Sequence, residues 1–142
     1  MYGIGARLAI ALRAYLEASK QDMKLVPLHE DPKPGMEYTI AGVMRQEDDD
    51  WWSFGIGLYL SLGPNVTPKH GHSFRVRIRK SEDPAVCTIA TDIFGKTQTR
   101  QVPLLPTEDF SSVCQDVYES FVEVFSNEKK RPPTGTDDIP MN

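Results

Sequence analysis

Between Trp51 and Val102 the sequence falls into runs in which apolar residues recur at every second position, separated by short polar connections. Side chains on a strand point alternately to its two faces, so a period of two marks a sheet with one buried face. The runs are WWSFGIGLYLSL (51–62), SFRVRIRK (73–80), AVCTIATDIF (85–94) and TQTRQV (97–102), with EYTIAGVMR (37–45) before them. QEDDD, GPNVTPKHG, SEDP and Gly95-Lys96 break the runs. Strands joined by such short connections pair antiparallel with their sequence neighbours. Phe54, Ile56, Leu58, Leu60 and Leu62 are expected on the core side of one strand, and Phe74, Val76 and Ile78 on the core side of the next.

A helical period brackets the strands. Ile4, Leu8, Leu12, Tyr15 and Leu16 line one face of a helix expected from Ile4 to about Ser19. PLHEDPKPG then excludes regular structure through three prolines and a glycine. After Pro106, Thr107 offers a hydroxyl cap and Glu108 and Asp109 suit the positive end of a second helix. Phe110, Val113, Cys114, Val117, Phe121 and Val124 form its buried stripe. Tyr118, Val122 and Phe125 widen that stripe beyond what one contact surface needs. Lys129, Lys130 and Arg131 suit its negative end, and Pro132-Pro133 stop it.

The pattern predicts an α+β, two-layer sandwich: an N-terminal helix, a mostly antiparallel four- to five-stranded meander sheet and a C-terminal helix, with both helices on one face. Residues 1–131 read as one domain and 132–142 as a flexible tail. At 142 residues the chain buries roughly two thirds of its unfolded surface, enough for one core. No apolar run spans a bilayer, because Arg7 and Arg13 interrupt the first helix. Two isolated cysteines make no disulfide framework or metal knuckle, which favours the reducing cytoplasm.

The alternation that buries Phe74, Val76 and Ile78 turns Arg75, Arg77 and Arg79 outward as a row. On the neighbouring strand the same face carries Trp51, Ser53, Gly55, Gly57 and Tyr59. One hairpin register sets Arg75 opposite Tyr59, Arg77 opposite Gly57 and Arg79 opposite Gly55, a glycine-floored trough between arginines and aromatics. The expected contact residues are therefore Trp51, Tyr59, Arg75, Arg77 and Arg79. Carboxylates fit such donors. Charge is lopsided as well. From Trp51 to Ser81 there are five Lys or Arg and no acid, so +5, whereas the rest, with 11 basic and 20 acidic residues, is −9. Asymmetry of this kind bears on partners and association rates.

The reading is a non-catalytic protein-binding accessory module, chaperone-like or inhibitor-like, whose partner is another protein or an acidic peptide. A homodimer over the open face is a further option. Single-stranded nucleic acid is the alternative for the same basic and aromatic face, opposed by a pI near 5.3. A second alternative is a metal-dependent enzyme using His70 and His72, whose i, i+2 spacing directs both rings to one side of an extended chain. No third histidine lies near them, since His29 sits in the proline-rich linker. Glu47 to Asp50 lack the calcium-loop spacing, and no nucleophile elbow or phosphate loop occurs. No catalytic residue, metal or cofactor is therefore assigned.

Overall fold

The computed structural model describes residues 1–18, 22–47, 49–60 and 70–130. The expected tail, the 61–69 connection and the Pro132-Pro133 stop lie outside them. Helix α1 (Tyr2–Tyr15) forms where Ile4, Leu8 and Leu12 repeat at four-residue spacing, and all three are buried with Gly5 and Ala9. It ends earlier than Ser19. Ala18 N–H donates to Arg13 O at 3.0 Å, Glu17 N–H donates to Ala14 O at 3.2 Å, and Glu17 adopts φ 54°. That is a left-handed helix end built without the usual glycine, so no residue signalled it.

The next elements correct the sequence reading. Met23–Val26 is a short strand, β1, where no strand was expected. Ile40–Val43 is a helical turn, α2, where a strand was expected. The Thr39 hydroxyl accepts from Gly42 N–H at 3.2 Å, and Val43 and Met44 are both buried. Two consecutive buried side chains contradict a half-buried strand and suit a capped turn. Of the expected run 37–45 only Arg45 is strand, as the first residue of β2 (Arg45–Gln46).

The meander follows as expected: β3 (Trp52–Leu60), β4 (His70–Lys80), β5 (Val86–Ile93) and β6 (Lys96–Pro103), each antiparallel to the next. β1 and β2 both pair antiparallel with β3 and share its other edge, giving a six-stranded open sheet. The last hairpin turns at Phe94-Gly95 rather than Gly95-Lys96. Both residues have positive φ, 51° and 79°, as a tight two-residue turn requires. A left-handed aromatic residue is unfavourable alone. Here the Phe94 ring is held 5.1 Å from both the His72 and Phe121 rings.

Helix α3 (Ser111–Lys130) closes the layer. Phe110 is the N-cap, its carbonyl accepting from Cys114 N–H at 3.0 Å, and the Asp109 carboxylate rather than the Thr107 hydroxyl accepts from Ser111 N–H at 2.9 Å. Phe110, Val113, Cys114, Val117 and Phe121 are buried in one cluster with Leu8, Leu12, Phe54, Ile56, Leu58, Phe74, Val76 and Ile78. Both long helices therefore cover the same sheet face. Each fully buried Leu, Ile or Phe contributes about 1.5–3 kcal/mol. One bifurcated and one bidentate contact tie helices to neighbours. Arg7 Nε donates to both Glu108 oxygens at 2.9 and 2.8 Å, and Arg100 donates to Asp116 at 2.8 and 2.9 Å. Asp116 is buried, and the Arg100 fork satisfies its charge.

Candidate functional site: the uncovered sheet face

The face away from the helices presents alternate residues of each strand. Arg75, Arg77 and Arg79 of β4 stand there in a row, with Thr88, Ala90 and Asp92 of β5 alongside in the register Arg75↔Asp92, Arg77↔Ala90, Arg79↔Thr88. Asp92 is the residue that the sequence reading missed. Arg75 Nε lies 2.7 Å and Arg77 Nε 3.3 Å from the same Asp92 oxygen, and the Thr97 hydroxyl donates to the other. Burial raises the Asp92 pKa, but the Thr97 hydrogen bond and the two guanidinium groups outweigh it and hold the carboxyl below its ordinary value. Its parity was legible: Asp92 falls in the outward row of β5. The meander also made β4 its partner strand; the register that sets it beside Arg75 was not legible.

Trp51 organises the other end of the row. The Arg77 and Arg79 guanidinium carbons lie 5.1 and 4.6 Å from the centroid of its ring. Both cations are held against one indole, which restricts them and lowers the ordering cost of engaging an anion. Arg79 has no ion-pair partner among the described residues. Among the described residues Asp92 is thus the one carboxylate in ion-pair contact with the row, while Asp50 lines a shallow pocket with Arg79.

The expected register and trough are corrected. Arg75 stands opposite Gly55 and Arg77 opposite Ser53, while Tyr59 faces Gly71 and Gly57 faces Ser73. β4 begins at His70, earlier than expected, and a Cβ on Gly71 would lie 2.8 Å from the Tyr59 ring. The Tyr59 ring occupies the space above Gly71, which fits Tyr59 opposite this glycine and not opposite Arg75. Tyr59 is therefore removed from the arginine row by four strand positions, roughly 13 Å, and the Lys24 amine lies 5.7 Å from its ring. Gly55 floors no hollow. A Cβ there would lie 2.8 Å from the Val26 carbonyl oxygen and 2.9 Å from a Val26 methyl. The glycine admits the end of β1.

An open hollow of about 820 Å3 does adjoin the row. Ser53 and Arg75 meet His29, Glu47 and Asp49 there. These groups do not converge: among the described residues no three His, Cys, Asp or Glu side chains form a set that holds a metal ion. His72 points to the core side, 5.1 and 5.9 Å from the Phe94 and Phe121 rings. The His70 side chain is outside the described residues, as is Asp48. Cys87 and Cys114 are buried, each with its thiol pKa pushed up to about 11, by burial first and then by Glu108 and Asp109 respectively. Such thiols are packing groups.

Among the described residues no helix is long and apolar enough to cross a membrane. No protein-family model matches the chain, and no curated protein or solved structure matches it.

Proposed function

We propose that this protein is a non-catalytic binding module whose Trp51, Arg75, Arg77 and Arg79 face takes an acidic segment of a partner protein in the cytoplasm. The carrying observation is a row of three guanidinium groups on the sheet face away from the helices, two of them stacked on Trp51, with Asp92 as the one carboxylate in ion-pair contact with them among the described residues. Internal pairing with Asp92 narrows the expected surface. Arg75 and Arg77 already have a carboxylate, so Arg79 beside Trp51, which has no ion-pair partner among the described residues, is the first anchor and the 43% exposed Arg75 the second. The Arg77 and Asp92 side chains are only 20% and 19% exposed, so that pair stays in place and an incoming acid reaches Arg79 and the more exposed Arg75.

The test is fluorescence anisotropy with a labelled Glu-rich decapeptide at low and moderate salt. Arg79→Glu is expected to weaken binding at least about tenfold, or 1.4 kcal/mol, with melting temperature unchanged. Asp92→Asn, which frees two guanidinium groups, is expected to strengthen it. Binding that ignores both substitutions overturns the reading. A single-stranded oligothymidine probe run in parallel tests the nucleic-acid alternative, because a cation-bearing indole also stacks on bases. Tight, steeply salt-dependent binding of that probe in preference to the peptide would replace the present reading.

A further inference from the structure

The helical layer carries a second, chemically different surface. Tyr118 and Val122, the residues that over-widen the α3 stripe, are 50% and 43% exposed. Ile10 and Tyr15 of α1 are 63% and 45% exposed, and the Tyr15 and Tyr118 rings meet edge to face at 6.3 Å. The four side chains therefore lie along one seam between the helices. At its end a groove of about 500 Å3 continues between Ile10, Ala11 and Cys114, closed by the Arg7–Glu108 pair. Exposed apolar side chains scattered singly are ordinary, but a contiguous strip across two helices marks a contact surface.

Charge decides what covers it. From Gln101 to the end of α3 at Lys130 the chain holds six Asp or Glu, with Lys129 and Lys130 as its only basic residues and both in the last turn of the helix. Arg7 and Arg100 compensate Glu108 and Asp116. Asp109 and Glu123 have no ion pair among the described residues, while Glu119, one turn before Val122 on α3, shares the field of Arg100 with Asp116 and accepts from the Gln115 amide at 2.9 Å. A second copy docked face to face would set these acidic flanks against each other. An amphipathic helix with Lys or Arg beside its apolar anchors meets both the strip and its rim. We infer that the α1–α3 seam docks a basic amphipathic helix of a partner protein, independently of the sheet face.

The test uses the full chain, labelled for amide NMR, and an 18-residue peptide with Leu at helical spacing and Lys elsewhere. Shifts are expected at Ile10, Tyr15, Tyr118 and Val122 and not on β4. The same peptide with Glu for Lys is expected to bind at least tenfold more weakly. Ile10→Glu with Val122→Glu, both at exposed positions, is expected to abolish binding while leaving the melting temperature in place. Equal affinity for the two peptides, shifts confined to other surfaces, or undiminished binding by the double variant would overturn the inference. So would a dimer in sedimentation that the same double variant dissociates, since the seam would then belong to a second copy.

Discussion

Gly55 and Gly57 occupy successive outward positions on β3 and look equivalent in sequence, yet they predict opposite responses to one added methyl group. At Gly55 the new Cβ would stand 2.8 Å from the Val26 carbonyl oxygen, 2.9 Å from a Val26 methyl and 3.0 Å from Leu28 Cδ2. The first is backbone, and β1 is hydrogen-bonded to β3 at this point through Val26↔Gly55, so it yields only by disturbing the pairing. At Gly57 the nearest atoms are 3.3, 3.7 and 4.0 Å away, and the closest is a side-chain methyl. Overpacking costs about 1–3 kcal/mol, offset by about 0.5–1 kcal/mol from the reduced freedom of the unfolded chain. Gly55→Ala is thus expected to lose about 1–2 kcal/mol, and Gly57→Ala to lie within about 0.5 kcal/mol of the parent. With an unfolding entropy near 0.3 kcal/mol/K for a chain of this size, the first lowers the melting temperature by about 3–7 °C and the second by under about 2 °C. Thermal unfolding followed by circular dichroism reads both. An unchanged Gly55→Ala, or equal losses at the two sites, would refute the argument that the glycine makes room for β1.

Two further predictions concern protonation. The depressed Asp92 pKa means its pairs add stability above the unfolded carboxyl value, near 3.9, and lose it as pH falls through the folded value. The stability gap between the parent and Asp92→Asn should be constant from pH 6 to 8 and close below about pH 4, as urea titrations across pH will show. Cys87 and Cys114, with pKa about 11, should ignore a thiol reagent at pH 8 in the native state and both react once denaturant is added; rapid native labelling would contradict their burial.

Much of the sheet was legible because burying one face imposes a period of two, and Phe54, Ile56, Leu58, Phe74, Val76 and Ile78 obey it without exception. What escaped was short or cooperative. β1 has four residues, too few for periodicity to stand out, and α2 is a single turn whose signal is the Thr39 cap rather than a pattern. The end of α1 is carried by Glu17 in a conformation that glycine usually marks. At the candidate site, the outward direction of the three arginines and Trp51 was legible from parity. The exclusion of Tyr59 and the inclusion of Asp92 were not, because both follow from strand register.

The sequence by itself determined which side of β3 and β4 faces the core and most of the buried helix positions, since the chemistry of single residues and the pitch of the backbone decide those. Tyr15 at 45% exposure and the partly buried Val124 are the departures. Only the tertiary structure decided which residues stand beside one another. A shift of four positions between β3 and β4 leaves every side chain on its own face and the apolar pattern intact, so hydrophobicity cannot choose between registers. Packing of Tyr59 over Gly71 fits the register found, which places Arg75 against Asp92 through β5 and separates Tyr59 from the arginine row.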